Sequence, residues 1–198
     1  MSLDASTETI GLAVIDYDTY SDVKLAHYEF FKPPKKGDLF ERLNCVREFI
    51  FERIEKFKPD DVALEDIILF MKGKSNAKTV SSLAVLNRTV GLAAYNKFGK
   101  VPKLLNVMTI RHAIKLTKKL PAKEEIPELV ASIFKIDFPY IFVGSGKNKG
   151  SIAPESYDMA DGMAVGLAFI KTNSVEKPVP KKSKKKRKKK SKKDGYQA

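Results

Sequence analysis

The chain has 198 residues, 43% of them hydrophobic, which is enough for one substantial core with appendages and too little for two full domains. Its lone cysteine, Cys45, excludes an internal disulfide framework and a cysteine zinc cluster. No apolar run approaches the roughly twenty residues that span a bilayer, and the N-terminus has no basic segment leading into an apolar signal stretch, so a soluble intracellular protein is expected. The net charge of +13 points towards nucleic acid, but its placement is uneven. Residues 177–198 hold eleven lysines, Arg187 and one acid, Asp194, a local charge of +11 that leaves only +2 on residues 1–176. The expected organisation is a folded domain at residues 1–172 followed by a disordered, lysine-rich tail at 173–198, whose attraction to nucleic acid is sequence-independent and screened by salt.

The opening reads as strand, polar turn and strand, with Ser2-Leu3-Asp4 before the turn and Ile10 to Ile15 after it. A third strand is expected at residues 23–31, stopped by Pro33 and Pro34. From residue 38 to 57, Leu39, Phe40, Leu43, Val46, Phe49, Ile50, Ile54 and Phe57 recur at three- and four-residue intervals, which predicts an amphipathic helix with Asp38 at its start. Val62-Ala63-Leu64-Glu65 then reads as a buried strand, making a crossover unit. A broadly apolar helix follows at 76–98, then a strand at 103–107 and helices at 109–117 and 124–134. Residues 138–143 fit either a strand or an apolar loop, residues 144–150 form a glycine-rich basic loop expected to be mobile, and a last helix covers 156–171. Three strands with short connections, a crossover and then alternating elements describe an α/β domain with a mixed five-stranded sheet flanked by helices.

Four acids stand at positions that matter in this plan. Asp4 ends the first strand, Glu65 ends the crossover strand, and Asp158 and Asp161 are spaced i and i+3 on one face of the last helix. Taken singly, each has an ordinary reading as a turn, strand-end or helix-start acid. Together, four carboxylates at low dielectric cannot all stay ionised without cations, and oxygen-only ligands favour Mg²⁺ or Mn²⁺ over zinc.

These motifs resemble those of the RuvC-type Holliday junction resolvases in the RNase H-like superfamily. Asp4-Ala-Ser-Thr-Glu-Thr-Ile-Gly11 is similar to their strand-turn-strand opening, Val62-Ala-Leu-Glu65 to their glutamate strand, and Asp158-Met-Ala-Asp161-Gly-Met-Ala164 to their paired-aspartate helix. The resemblance implies an RNase H-like fold and a homodimer through residues 76–98. It implies two Mg²⁺ ions, with Mn²⁺ as a substitute, held by Asp4, Glu65, Asp158 and Asp161. Metal-dependent hydrolysis of paired phosphodiester bonds in four-way DNA junctions follows, with Lys115 and Lys123 near the scissile phosphate and Phe70 stacking on bases. Surface placement for the two lysines and a core or anchoring role for Phe70 are the ordinary alternatives. Three readings compete: a broader nuclease for flaps and other branched DNA, a non-catalytic nucleic-acid-binding protein, and an actin-like phosphotransferase, the last disfavoured by the lack of glycine-rich phosphate loops. Residues 136–154 are longer than the link expected in bacterial members of the family, and the tail has no counterpart in its core pattern.

Overall fold

The computed structural model describes residues 1–6, 8–67 and 77–173. Its sheet has five strands, β1 Ser2–Ala5, β2 Ile10–Thr19, β3 Asp22–Phe31, β4 Ala63–Glu65 and β5 Lys103–Leu105, in the order β3-β2-β1-β4-β5. The first three pair antiparallel, and β1, β4 and β5 run parallel. Among the described residues five α-helices pack on the sheet, α1 Leu39–Phe57, α2 Ala77–Phe98, α3 Val107–Ile114, α4 Ile126–Phe134 and α5 Pro154–Asn173, with a 3-10 turn at Lys123–Glu125. The mixed five-stranded α/β architecture expected from the sequence is therefore present.

Side-chain parity divides the molecule into three layers. Leu3, Ile10, Leu12 and Leu64 point to one face, where they pack on Val46, Phe49, Ile50 and Ile54 of α1 and on Leu86, Val90, Ala93 and Ala94 of α2. Ala13 and Ala63 point to the other, under Ile110 and Ile114 of α3, Ile126 and Val130 of α4, and Met163 and Leu167 of α5. Each strand register is thus fixed from both sides, because a slip of one residue would exchange the two sets.

Local chemistry sets the helix ends. The Asp38 side chain accepts from the Phe40 N–H at 2.8 Å while the Asp38 N–H donates to Glu41 Oε2 at 3.2 Å, a capping box that starts α1. Lys58 closes it in the left-handed region, with φ 44°, ahead of Pro59. At α3 the Asn106 side chain accepts from the Thr109 N–H at 2.8 Å, so the helix begins at Val107. That cap takes Val107 out of the strand expected at 103–107 and ends β5 at Leu105. The hairpin of β2 and β3 runs past the expected end at Ile15 to Thr19, with β2 exposed from Asp16, Val23 and Leu25 of β3 half-buried against the core, and two register irregularities along the pair. Among the described residues, no helix is long and apolar enough to cross a membrane. Phe70 and the tail from residue 174 lie outside the described residues.

Candidate metal centre

The same parity places the acids. With Leu3 and Ala5 turned towards α1 and α2, Asp4 turns towards α5, and with Leu64 on the first face, Glu65 joins Asp4 on the second. Leu3 pairs with Leu64 in the parallel ladder, so the next residues, Asp4 and Glu65, leave adjacent strands side by side. A buried amide reinforces this strand end: Asn87 of α2 donates from Nδ2 to the Glu65 backbone oxygen at 2.8 Å.

Helix α5 brings the other two carboxylates down onto this spot because three glycines clear its path. Asp4 pairs across the β1–β2 ladder with Gly11, against which the Asp158 backbone lies. A Cβ on Gly162 would come within 2.9 Å of the Gly11 carbonyl carbon, and one on Gly166 within 2.7 Å of Ser2 Oγ. Ser2 Oγ fastens the crossing by donating to the Gly162 carbonyl at 2.8 Å. The spacing Gly162 to Gly166 is the one sequence signal of this packing, and reading the helix only for its acids overlooks it.

Oxygens of Asp4, Asp158 and Asp161 all lie within 4.8 Å of one another. Glu65 is not in that closest group, but its charge is the strongest electrostatic influence on Asp4. Burial pushes the Asp4 carboxyl well above the ordinary carboxylate range, and the charges of Glu65, Asp161 and Asp158 push it further. Glu65 is pushed up to about 7, by burial first and then by Asp161. Burial also raises Asp158 and Asp161, whose side chains are 11% and 14% exposed. Lys123 answers part of this charge, its Nζ lying 3.1 Å from Asp161 and 3.8 Å from Asp158. Such a set of crowded, largely buried oxygens suits a hard divalent cation, which would relieve the repulsion that the lysine only partly offsets.

Lys115 is not brought into the cluster. Helix α3 ends at Ile114, and Lys115 continues in extended backbone, with ψ 134°, making no ion pair with the carboxylates among the described residues. Arg111, one turn earlier and still helical, is near enough for its charge to lower both Glu65 and Asp161. Among the described residues, its buried Nε has no hydrogen-bond partner. Arg111 and Lys115 are four residues apart, but α3 ends at Ile114, so only Arg111 stands on the helix.

Comparisons with known proteins identify the family. The profile of the family described as crossover junction endodeoxyribonuclease RuvC matches residues 1–139. The crossover junction endodeoxyribonuclease RuvC of Finegoldia magna is 24% identical, covering 71% of this chain and 96% of its own. Its namesake in Fusobacterium nucleatum is 31% identical, over 47% of this chain and 46% of its own. Among solved structures, Thermus thermophilus RuvC in complex with a Holliday junction substrate superposes with a TM-score of 0.62 at 19% identity, covering 84% of this chain and 88% of that one. The yeast mitochondrial Holliday junction resolvase Ydc2 superposes with a TM-score of 0.56 at 15% identity, covering 86% and 76%. With a family profile matched over well more than half its length and its carboxylates gathered at one end of the sheet, the chain belongs to the crossover junction endodeoxyribonuclease RuvC family.

Proposed function

We propose that this protein resolves four-way DNA junctions by divalent-metal-dependent hydrolysis of a phosphodiester bond in each of two opposed strands. The observation that carries this reading is the closure of Asp4, Asp158 and Asp161 to within 4.8 Å beneath Lys123, in a chain of this family. Asp4, at the centre of the electrostatic cluster, together with Glu65, Asp158 and Asp161 would hold the divalent cation. Bound there, Mg²⁺ or Mn²⁺ would supply Lewis acidity to the phosphate and acidity to a coordinated water. The chain's own residues do the rest. The carboxylates fix where the scissile phosphate rests, and Lys123, 49% exposed, turns its ammonium between Asp161 and incoming phosphate to offset charge developing on phosphorus. Arg111 provides a second cation at the same wall.

Two cuts call for two sites, and α2 supports a homodimer. Its buried side, Leu86, Asn87, Val90, Ala93 and Ala94, belongs to the protein's own core, while Val85, Leu92 and Tyr95 remain exposed at 39%, 60% and 47%. Leu86 therefore faces the core and not a partner.

The test is incubation of the purified protein with a synthetic four-way junction, a flap and a linear duplex, with and without Mg²⁺ or Mn²⁺. Paired, symmetric, metal-dependent nicks in the junction alone are expected. Equal cutting of flaps would replace the reading with a broader branched-DNA nuclease, and binding without cutting would replace it with a non-catalytic one.

A further inference from the structure

Between α4 and α5 the chain does not take the short route. The family profile stops at residue 139, and the residues that follow fold into a small hairpin. The Val143 N–H donates to the Ser151 carbonyl at 2.9 Å, the Gly150 N–H to the Val143 carbonyl at 2.9 Å, and the Ala153 N–H to the Ile141 carbonyl at 2.8 Å, with Phe142 and Ile152 bridged. Its base is anchored. The fully buried Ser156 Oγ accepts from the Ile141 N–H at 2.9 Å, and Tyr140 donates its hydroxyl proton to Glu128 Oε1 at 2.7 Å. Ser156 stands in the first turn of α5, two residues before Asp158, so the hairpin is fixed to the helix that carries two of the four acids.

The tip is cationic and open. Lys147 and Lys149 are exposed, and no acid occurs between Asp137 and Glu155. Gly146 and Gly150 hold φ of +83° and +84°, and a Cβ at Gly144, Gly146 or Gly150 would meet nothing within 4 Å, so the backbone is open to approach on this side. Phe142, 59% exposed, stands at the hairpin's bridge. At its foot Glu155 is ion-paired to Lys32, whose charge also reaches Asp158, so the basic stretch after β3 borders the same first turn.

We infer that residues 141–153 form a clamp for one duplex arm of the DNA substrate, with Lys147 and Lys149 neutralising backbone phosphates and Phe142 packing on a sugar. This rests on the reading of the protein as a junction nuclease. Charge complementarity selects the occupant: an exposed cationic, acid-free, glycine-opened turn rooted beside a phosphodiester-cleaving site meets the polyanionic backbone of the strand entering that site.

The test measures junction affinity of the full chain against salt, without divalent cation, for wild type, K147A/K149A and the control K24A/K103A, which removes two lysines from the opposite end of the sheet. Loss of two phosphate contacts should reduce the slope of log affinity against log salt by about 1.8 and lower affinity about tenfold near 0.1 M salt. Neutral methylphosphonates scanned along one arm should find a position that weakens wild type by the same factor yet adds nothing to K147A/K149A, the non-additivity expected of direct partners. The substituted lysines are exposed, and unchanged circular dichroism and melting temperature will show that each variant is folded. A K147A/K149A slope equal to the control, or additive losses at every methylphosphonate position, overturns the clamp while wild-type junction cleavage stands. Wild type that cuts no junction overturns the function itself, and wild type that binds no DNA overturns both.

Discussion

The backbone of Asp158 rests on Gly11: a Cβ at that glycine would stand 1.8 Å from the Asp158 carbonyl oxygen, closer than any pair of unbonded atoms tolerates. Since Gly11 pairs directly with Asp4, this contact sets the height of the α5 carboxylates above the strand carboxylate. Gly11→Ala must lift α5 or bend β2. The expected cost is at or above the ~1–3 kcal/mol usual for overpacking, with cleavage lost even at temperatures where the variant remains folded. Thermal melting and single-turnover cleavage measure the two separately.

Removing an acid should stabilise the metal-free protein while ending its chemistry. Glu65 sits at about 7 in the folded chain against 4.5 ordinarily, so the folded state binds more protons between these values, and stability falls as pH rises from about 4.5 through 7. Glu65→Gln and Asp4→Asn should flatten that fall and raise the metal-free melting temperature at pH 8, by roughly 3 °C for each kcal/mol of repulsion relieved. Both should cut cleavage more than about 100-fold and reduce the rise in melting temperature that Mg²⁺ gives the wild type. Calorimetry across this pH range, with and without Mg²⁺, would show it, and a Glu65→Gln protein less stable than wild type at pH 8 would contradict it.

Arg111 and Lys115 separate by the same logic. Arg111→Ala should lower single-turnover cleavage by about 10²-fold or more, whereas Lys115→Ala should stay within about threefold of wild type. Lys123→Ala should resemble Arg111→Ala and, by leaving Asp158 and Asp161 without their ion pair, should also steepen the dependence on Mg²⁺ concentration.

For the dimer, Val85→Glu with Leu92→Glu should yield a folded monomer that nicks one strand at a time, because both positions are exposed on the free protomer. Leu86→Glu should instead unfold the chain, its side chain being 7% exposed within the α1 and α2 core. Sedimentation with circular dichroism distinguishes dissociation from unfolding, and a double variant that remains dimeric would move the interface elsewhere.

The parts of the site carried by periodic elements were legible in the sequence. Asp4 and Glu65 follow from their places at the ends of adjacent parallel strands, and Asp158 and Asp161 from helical spacing, because a crossover and a 3.6-residue repeat bring these positions together without further tertiary information. Arg111 was not legible, since nothing in the sequence singles it out and the resemblance points to Lys115; its nearness to Glu65 and Asp161 shows only in the fold. Nor did the spacing between Asp4 and Gly11 carry its own reason. The fit of Gly11 beneath Asp158 joins residues 147 positions apart, and only the packed fold reveals it. The hairpin at 141–153 read as a strand or loop followed by a mobile turn because its hydrogen bonds are few and its anchor is a serine in the next helix.

Helix α5 is buried along nearly its whole length, from Ser156 to Ile170, while the connection before it ends in an open turn. An insertion inside that helix would rotate every following side chain out of the core and carry Asp161 away from Asp158. An insertion in the open turn at residues 144–150 of the preceding connection meets only solvent. Length changes at that turn leave α5, and with it the spacing of Asp158 and Asp161, untouched, so the surface beside the carboxylates can vary while the carboxylates stay in place.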